Sequence, residues 1–240
     1  MEIGNLAIFV LICAAGALVQ ATTGFGYGTV CMAVFPYILG YSESIAICSL
    51  CAATMSTMVA VKHHKGVKFS IVLPMLAGFS VASALSIRFV KSRADGGMMK
   101  ALGIILIAVS IYFILFSGKI RIRPTFLNGV IAGAFGGIGA GMFGIGGPPV
   151  VIFLMSATDD KEVYRSCSMA YFALGSWYAS SVRLINGIIT LRVVTLWAIA
   201  LLALAAGTWL GNRLFDRVDA KKLRYLVYGF MALSGAAMLF

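Results

Sequence analysis

The chain has 240 residues, of which 61% are hydrophobic and 11% are charged, and it carries a formal charge of +11. A typical soluble domain carries about 25% charged residues, so this composition excludes a soluble globular domain and predicts several membrane-spanning helices. The basic residues lie in short stretches between apolar segments, a placement that indicates membrane topology and argues against nucleic-acid binding.

Two uncharged runs, 3–42 and 124–158, are too long to form one membrane-spanning helix each. Forty helical residues extend about 60 Å, whereas the hydrocarbon core of a bilayer is about 30 Å thick. Both runs contain a glycine-rich interruption, at 22–29 and at 139–149. Glycine adopts backbone angles that other residues avoid, and proline suits the first turn of a helix. Each run is therefore predicted to form a helical hairpin with unwound backbone between its arms.

Three further spans follow each hairpin, predicted at 44–61, 69–90, 98–117, 163–182, 192–212 and 222–240. Sequence motifs repeat at matching places: Phe25-Gly26-Tyr27-Gly28 corresponds to Phe143-Gly144-Ile145-Gly146, and Cys48-Ser49 corresponds to Cys167-Ser168. We expect two homologous halves, 1–120 and 121–240, that form one transport domain. Each half crosses an odd number of times, so the second inserts upside down. The predicted fold class is an all-α polytopic membrane protein with an inverted repeat of two five-segment halves, each opening with a glycine-broken hairpin.

Most of the 19 lysines and arginines fall on one side of this predicted topology. That side receives Lys62, Lys65, Lys68, Lys119, Arg121, Arg123, Lys161, Arg165, Arg213, Arg217, Lys221, Lys222 and Arg224. The positive-inside rule places it in the cytoplasm. We therefore expect a multi-pass protein of the cytoplasmic (inner) membrane with both termini on the external side.

The two glycine breaks are the candidate site, because irregular backbone at membrane depth is tolerated only inside protein or along a water-filled cavity. Helices predicted to begin near Thr29 and Pro148 would direct free N–H groups and a positive dipole end toward an anion. The candidate substrate-binding residues are Thr22, Thr23, Gly24, Gly26, Gly28, Thr29, Ser49, Gly144, Gly146, Gly147, Pro148 and Ser168. Alternatively, the glycines only allow close helix packing. Packing is the preferred interpretation for Gly129 and Gly133, which belong to a ladder that continues through Gly137 and Gly141.

Three further side chains are candidates for coupling or gating: Gln20, Glu43 and Arg183. Glu43 is first interpreted as a helix-start charge, although it is the best candidate carboxylate for a proton. Arg183 and Arg88 lie at the outer ends of spans. They could attract an anion, but we expect them to extend toward the membrane interface.

The polar and sulfur-bearing residues of the spans allow more than one interpretation. Ser49 and Ser168 either bond to carbonyl groups of their own helices or line the central site. Cys48 and Cys51 form a CxxC motif without a second ligand pair, so no metal and no cofactor is predicted. His63, in a cytoplasmic loop, is expected to be solvated.

At Gly26-Tyr27-Gly28, with Pro36 downstream, and above all at Gly144-Ile145-Gly146-Gly147-Pro148-Pro149, the chain resembles the TauE/SafE sulfite-exporter family, also called the toluenesulfonate uptake permeases. The resemblance covers essentially the whole chain. It implies secondary transport of small sulfur-containing anions such as sulfite, sulfoacetate or another organosulfonate. The chain departs from the family's usual pattern at Thr29, where glycine is common, and at Cys48 and Cys167, where threonine is common.

The expected function is a secondary carrier that works by alternating access, with export favoured. An anion that leaves a cell at about 100 mV, inside negative, gains about 2.3 kcal/mol per charge, whereas uptake needs a coupled cation such as H⁺ or Na⁺. The alternatives are an anion channel or facilitated-diffusion pore and a cation-coupled uptake permease. The expected partners are the anion and the lipid bilayer, and the oligomeric state stays open. Because the spans lack a group of catalytic side chains, an enzyme is not predicted.

Overall fold

The computed structural model describes residues 3–92, 97–116, 122–214 and 220–239. Within these ranges the chain is helical and forms no strand. The helices are α1 (Ile3–Thr23), α2 (Tyr27–Met32), α3 (Phe35–Ile38), α4 (Tyr41–Lys62), α5 (Phe69–Ser92), α6 (Gly97–Phe116), α7 (Phe126–Phe143), α8 (Gly147–Ala157), α9 (Lys161–Ile185), α10 (Leu191–Leu214) and α11 (Ala220–Ala237), with a 3₁₀ turn at His64–Gly66. Helices α1, α4, α5, α7 and α10 are long and apolar enough to cross a membrane. The all-helical polytopic class is confirmed.

The six spans predicted outside the hairpins correspond to α4, α5, α6, α9, α10 and α11, with no end displaced by more than about three residues, a usual uncertainty at helix ends. Some of the basic residues used to predict the orientation lie outside the described residues: Arg93, Lys119, Arg121 and Arg217. Positions 117 and 240, which end two of the predicted spans, also lie outside them.

Each glycine-rich run folds into a hairpin whose second arm returns along the first. In the first hairpin, a Cβ placed on Gly16 of α1 would lie 3.1 Å from both Cys31 and Tyr27 of α2. In the second, a Cβ on Gly136 of α7 would lie 2.9 Å from Val150 of α8. Helix α8 has 11 residues and extends about 16 Å, roughly half of the hydrocarbon core. The returning arm α8 by itself is therefore too short to cross the bilayer.

The packing between the two halves is symmetric: each helix pair between the halves has an equivalent pair in which the two halves have exchanged roles. Helix α1 packs on α10 as α5 packs on α7, while α4 packs on its counterpart α9 and α6 on its counterpart α11. Helices α4 and α9 run antiparallel, since Ser49 contacts Ser180 whereas Thr57 contacts Trp177. Antiparallel counterparts are what an inverted repeat requires. The inverted insertion itself stays a prediction.

The glycine ladder of α7 lies against the backbone of α5. A Cβ on Gly133 would overlap the Met75 carbonyl oxygen, and one on Gly137 would lie 2.6 Å from the carbonyl oxygen of Phe79. Such close approach of two backbones is the usual role of small residues between membrane helices. The packing interpretation of this ladder is confirmed.

Candidate functional site

The two glycine breaks meet inside the helix bundle. A Cβ on Gly28 would overlap the carbonyl oxygen of Gly144, so the two segments touch. Gly26 and Gly144 have φ of 110° and 69°, in the left-handed region that favours glycine. Beside the contact lies a cavity that offers about 50 Å³ to the centre of a water-sized sphere. One water requires about 10–15 Å³ on this measure, so the cavity has room for a small oxyanion.

Many of the residues proposed from the sequence line this cavity. They are Gln20, Gly26, Gly28, Thr29, Ser49, Gly144, Gly146, Gly147 and Arg183. They come from both halves of the chain, as expected if the breaks meet at the centre of an inverted repeat.

Arg183 is the only positively charged side chain among the described lining residues. It is 2% exposed, and its Nη2 donates to the carbonyl oxygens of Ala140 at 2.8 Å and Gly141 at 3.2 Å. Its Nη1 is buried and has no hydrogen-bond partner. The expectation that Arg183 extends to the interface is wrong, because the carbonyl groups at the end of α7 replace water around the guanidinium. Arg88, in contrast, is exposed as expected.

Gln20 stabilises the backbone of the first break through two hydrogen bonds. Its Oε1 accepts the Tyr27 N–H at 3.0 Å, and its Nε2 donates to Ser56 Oγ at 2.8 Å. The first N–H of α2 is therefore engaged within the protein, although we expected it to be free. A single amide thus joins α1, α2 and α4 at the edge of the cavity.

The hydroxyl groups of Thr29 and Ser49 line the cavity but donate their hydrogens to backbone. Thr29 Oγ1 donates to the Gly26 carbonyl oxygen at 2.7 Å, and Ser49 Oγ donates to the Ala46 carbonyl oxygen at 2.9 Å. Ser180 Oγ lies 3.1 Å from Ser49 Oγ. Both alternatives for Ser49 hold at once: it bonds to its own helix and also lines the site.

Other predicted residues support the breaks from outside the cavity lining. These are Thr22, Thr23, Gly24, Pro148 and Ser168. Ser168 follows neither alternative, since its Oγ donates to the carbonyl oxygen of Gly24 and so ties α9 to the first break. Thr22 donates to carbonyl groups of its own helix, and Thr23 also donates to the Phe25 carbonyl oxygen at 2.7 Å.

The start of α8 has fewer donors than the sequence motif indicates. The helix begins at Gly147, one residue before the predicted start. Pro148 and Pro149 have no N–H, so Gly147 supplies the donor of the first turn that faces the cavity. The prediction that free N–H groups at this helix start bind the anion stays a prediction, and Arg183 adds a charged donor to the site.

The aromatic wall of the cavity was not foreseen. Tyr171 is fully buried, and its ring packs edge-on against Phe79, with the centroids 5.5 Å apart. The Tyr171 hydroxyl has no hydrogen-bond partner. Tyr171 lies three residues beyond Ser168 on α9, so the helical spacing from the Cys-Ser motif could have drawn attention to it.

Two carboxylates at equivalent positions of the halves each lie beside a basic side chain, away from the cavity. Glu43 Oε2 lies 3.2 Å from Arg192 Nη1, and Glu162 Oε2 lies 3.2 Å from His63 Nδ1. His63 is half-buried, contrary to the expectation that it is solvated. Burial and, secondarily, the charge of Arg165 lower the pKa of His63 below its usual value, while Glu162 acts in the opposite direction.

The comparison with protein families identifies this arrangement. A family model described as Sulfite exporter TauE/SafE matches residues 8–238. The chain belongs to the TauE/SafE family. This family is one of membrane transporters for sulfite and organosulfur anions, which agrees with a buried cavity holding an unpaired cation. No curated protein and no solved structure matches the chain.

Proposed function

We propose that this protein is a secondary carrier that moves a small sulfur-containing anion, such as sulfite, sulfoacetate or another organosulfonate, across the cytoplasmic membrane. It works by alternating access in two inverted halves, 1–120 and 121–240, with export favoured and both termini outside. The anion binds where the two breaks meet, with its charge at Arg183.

The observation that carries the proposal is the unpaired charge of Arg183. A cation buried in a low-dielectric interior is costly unless it is paired. No carboxylate of the described chain pairs with it, and Nη1 has no hydrogen-bond partner. An anion taken up from solution would supply the missing partner.

The form of the cavity favours a carrier over a channel. A space of about 50 Å³ holds one small ion and its nearest contacts. It lies where the two glycine-broken hairpins meet, and inverted-repeat transporters bind substrate near the midplane between such broken helices. Rocking of one half against the other would expose this space to each side in turn.

Export follows from the membrane potential and the absence of a carboxylate among the described lining residues. An anion that leaves the cell gains about 2.3 kcal/mol per charge at 100 mV. Uptake against that potential would need a cation such as H⁺ or Na⁺, and the described lining holds no acidic side chain to carry a proton.

The test is flux into liposomes that contain purified protein, with sulfite, sulfoacetate, taurine and sulfate in turn, with and without gradients of Na⁺ and pH. We expect saturable flux of a sulfur anion without either gradient. Arg183→Gln should lower that flux about 100-fold, equivalent to about 2.7 kcal/mol.

Arg192→Gln is the matched control, because Arg192 is exposed and lies outside the cavity lining. It should keep flux within about threefold of the wild type, as expected for an exposed ion pair. Equal flux for Arg183→Gln and the wild type would refute the site. Flux that does not saturate and exceeds about 10³ per second, near the upper range of turnover numbers, would indicate a channel. Flux that requires Na⁺ or a pH gradient would indicate coupled uptake.

A further inference from the structure

We infer that the cavity takes its substrate as a monoanion, namely hydrogensulfite or a simple alkanesulfonate, and rejects dianions such as sulfate, sulfoacetate and fully deprotonated sulfite. This inference rests on the proposed transport function and narrows its substrates, because it excludes sulfoacetate from the anions named there. It concerns the charge state of the anion.

The first argument is the count of charges at the cavity. Among the described lining residues, the side chains that can ionise are Arg183, Tyr171 and Cys48. Of these, only a guanidinium ordinarily carries a charge at neutral pH, so the lining supplies a single positive charge. One negative charge on the substrate makes the occupied site neutral, whereas a second would be buried without a partner.

The helix ends at the cavity leave this count unchanged. Helix α7 ends at Phe143, and α8 begins at Gly147. The first end carries about −0.5 charge and the second about +0.5. Since the two ends lie on either side of the same break, their contributions have opposite signs, and Arg183 stays the one fully charged side chain among the described lining residues.

The second argument comes from two of the lining hydroxyl groups, those of Thr29 and Ser49. Thr29 and Ser49 each donate their one hydrogen to a backbone carbonyl oxygen. Toward the cavity these oxygens offer only lone pairs. Between the two protonation states of sulfite, they therefore favour hydrogensulfite, which can donate a hydrogen bond to them, over the dianion, which cannot. Hydrogensulfite carries such a hydrogen, and it is small enough for the cavity.

The experiment compares three probes in liposomes with equal pH on both sides, and the flux into protein-free liposomes is subtracted. Sulfite loses its second proton near neutral pH, methanesulfonate is a monoanion throughout, and sulfate is a dianion throughout. From about pH 6 to 8, sulfite flux at constant total sulfite should fall several-fold while methanesulfonate flux stays level. Sulfate flux should stay below about a tenth of the methanesulfonate flux, because its second charge is unpaired. The level methanesulfonate flux separates titration of the substrate from titration of the protein.

A second experiment tests the charge count by adding a positive charge to the cavity lining. Ser176 lines the cavity and is half-buried, so Ser176→Lys adds a second cation there. It should raise the ratio of sulfate flux to methanesulfonate flux at least fivefold. Sulfate flux equal to methanesulfonate flux in the wild type, or sulfite flux that rises with pH, would overturn the monoanion inference. If either result were found and Arg183→Gln still lowered the flux strongly, the monoanion inference would fail and the proposed transport site would stand. Flux that does not depend on Arg183 would refute the proposed site itself.

Discussion

Gly28 lies directly against the carbonyl group of Gly144, so that a single methyl group at position 28 has no room. The two residues belong to different halves of the chain, 116 positions apart by their numbers. Their contact joins the two hairpins and forms one edge of the cavity. Because the contact is to backbone, it cannot be relieved by rotation of a side chain.

The first prediction concerns this contact. Gly28→Ala should destabilise the protein by about 3 kcal/mol or more, because the added Cβ must displace one hairpin. Thermal unfolding in detergent measures the effect. Gly4→Ala is the control, since Gly4 lies in α1 with nothing within 4 Å of an added Cβ, and alanine favours a helix by about 1 kcal/mol. Equal unfolding temperatures for the two variants would contradict the contact.

The second prediction concerns the amide of Gln20. Gln20→Leu should cost about 1–3 kcal/mol, because it leaves the Tyr27 N–H and the Ser56 hydroxyl without their buried partner. Ser56→Ala removes only one of the two hydrogen bonds and should cost less. Denaturation in detergent compares the stability of the two variants. A larger loss of stability in Ser56→Ala than in Gln20→Leu would show that Gln20 does not stabilise the break.

The third prediction distinguishes a role in the cavity lining from a role in helix packing, by comparing two serines that are hydrogen-bonded to each other. Ser49 lines the cavity and Ser180 does not, although their Oγ atoms are 3.1 Å apart. Loss of this bond should cost about 0.6 kcal/mol in either alanine variant, a usual value between membrane helices. Flux should fall several-fold only in Ser49→Ala. If both variants lowered flux equally, the effect would come from helix packing.

The fourth prediction is a pH dependence of stability from His63. Because burial, reinforced by Arg165, lowers its pKa, the folded protein binds fewer protons than the unfolded chain in the range just below the ordinary value of about 6.5. Stability therefore rises with pH through this range, and the contribution is lost as the pH falls. His63→Gln should flatten the thermal-unfolding profile there. His64→Gln should not, because His64 is exposed; a profile unchanged by His63→Gln would contradict the assignment.

The fifth prediction concerns Glu43, the carboxylate considered for coupling. It pairs with Arg192 outside the cavity lining, so Glu43→Gln should leave flux and its response to a pH gradient close to those of the wild type. Because Arg192 is exposed, the pair contributes less than about 1 kcal/mol to stability. Liposome flux with and without the gradient measures this. A gradient response that disappears in Glu43→Gln would identify Glu43 as the proton carrier.

The sequence predicted the six helices outside the hairpins, with ends within about three residues, and both glycine breaks. It could do so because the distribution of charged and apolar residues follows the boundary between lipid and water, which depends mainly on local composition. The glycine ladder of α7 was predictable for a related reason. Small residues four apart form a smooth stripe on one helix face whatever lies opposite.

Only the tertiary structure decided the chemistry of the site. Arg183, near the end of a span, could extend to water or turn inward, and the carbonyl groups of Ala140 and Gly141 on another helix decide between the two. Likewise, the Ser168 hydroxyl bonds to Gly24 and not to its own helix or the cavity. The sequence alone therefore determined where the chain crosses the membrane and where it breaks. Which charges and hydroxyl groups are left for a substrate depends on partners distant in sequence, because buried polar groups take whichever partner the packing supplies.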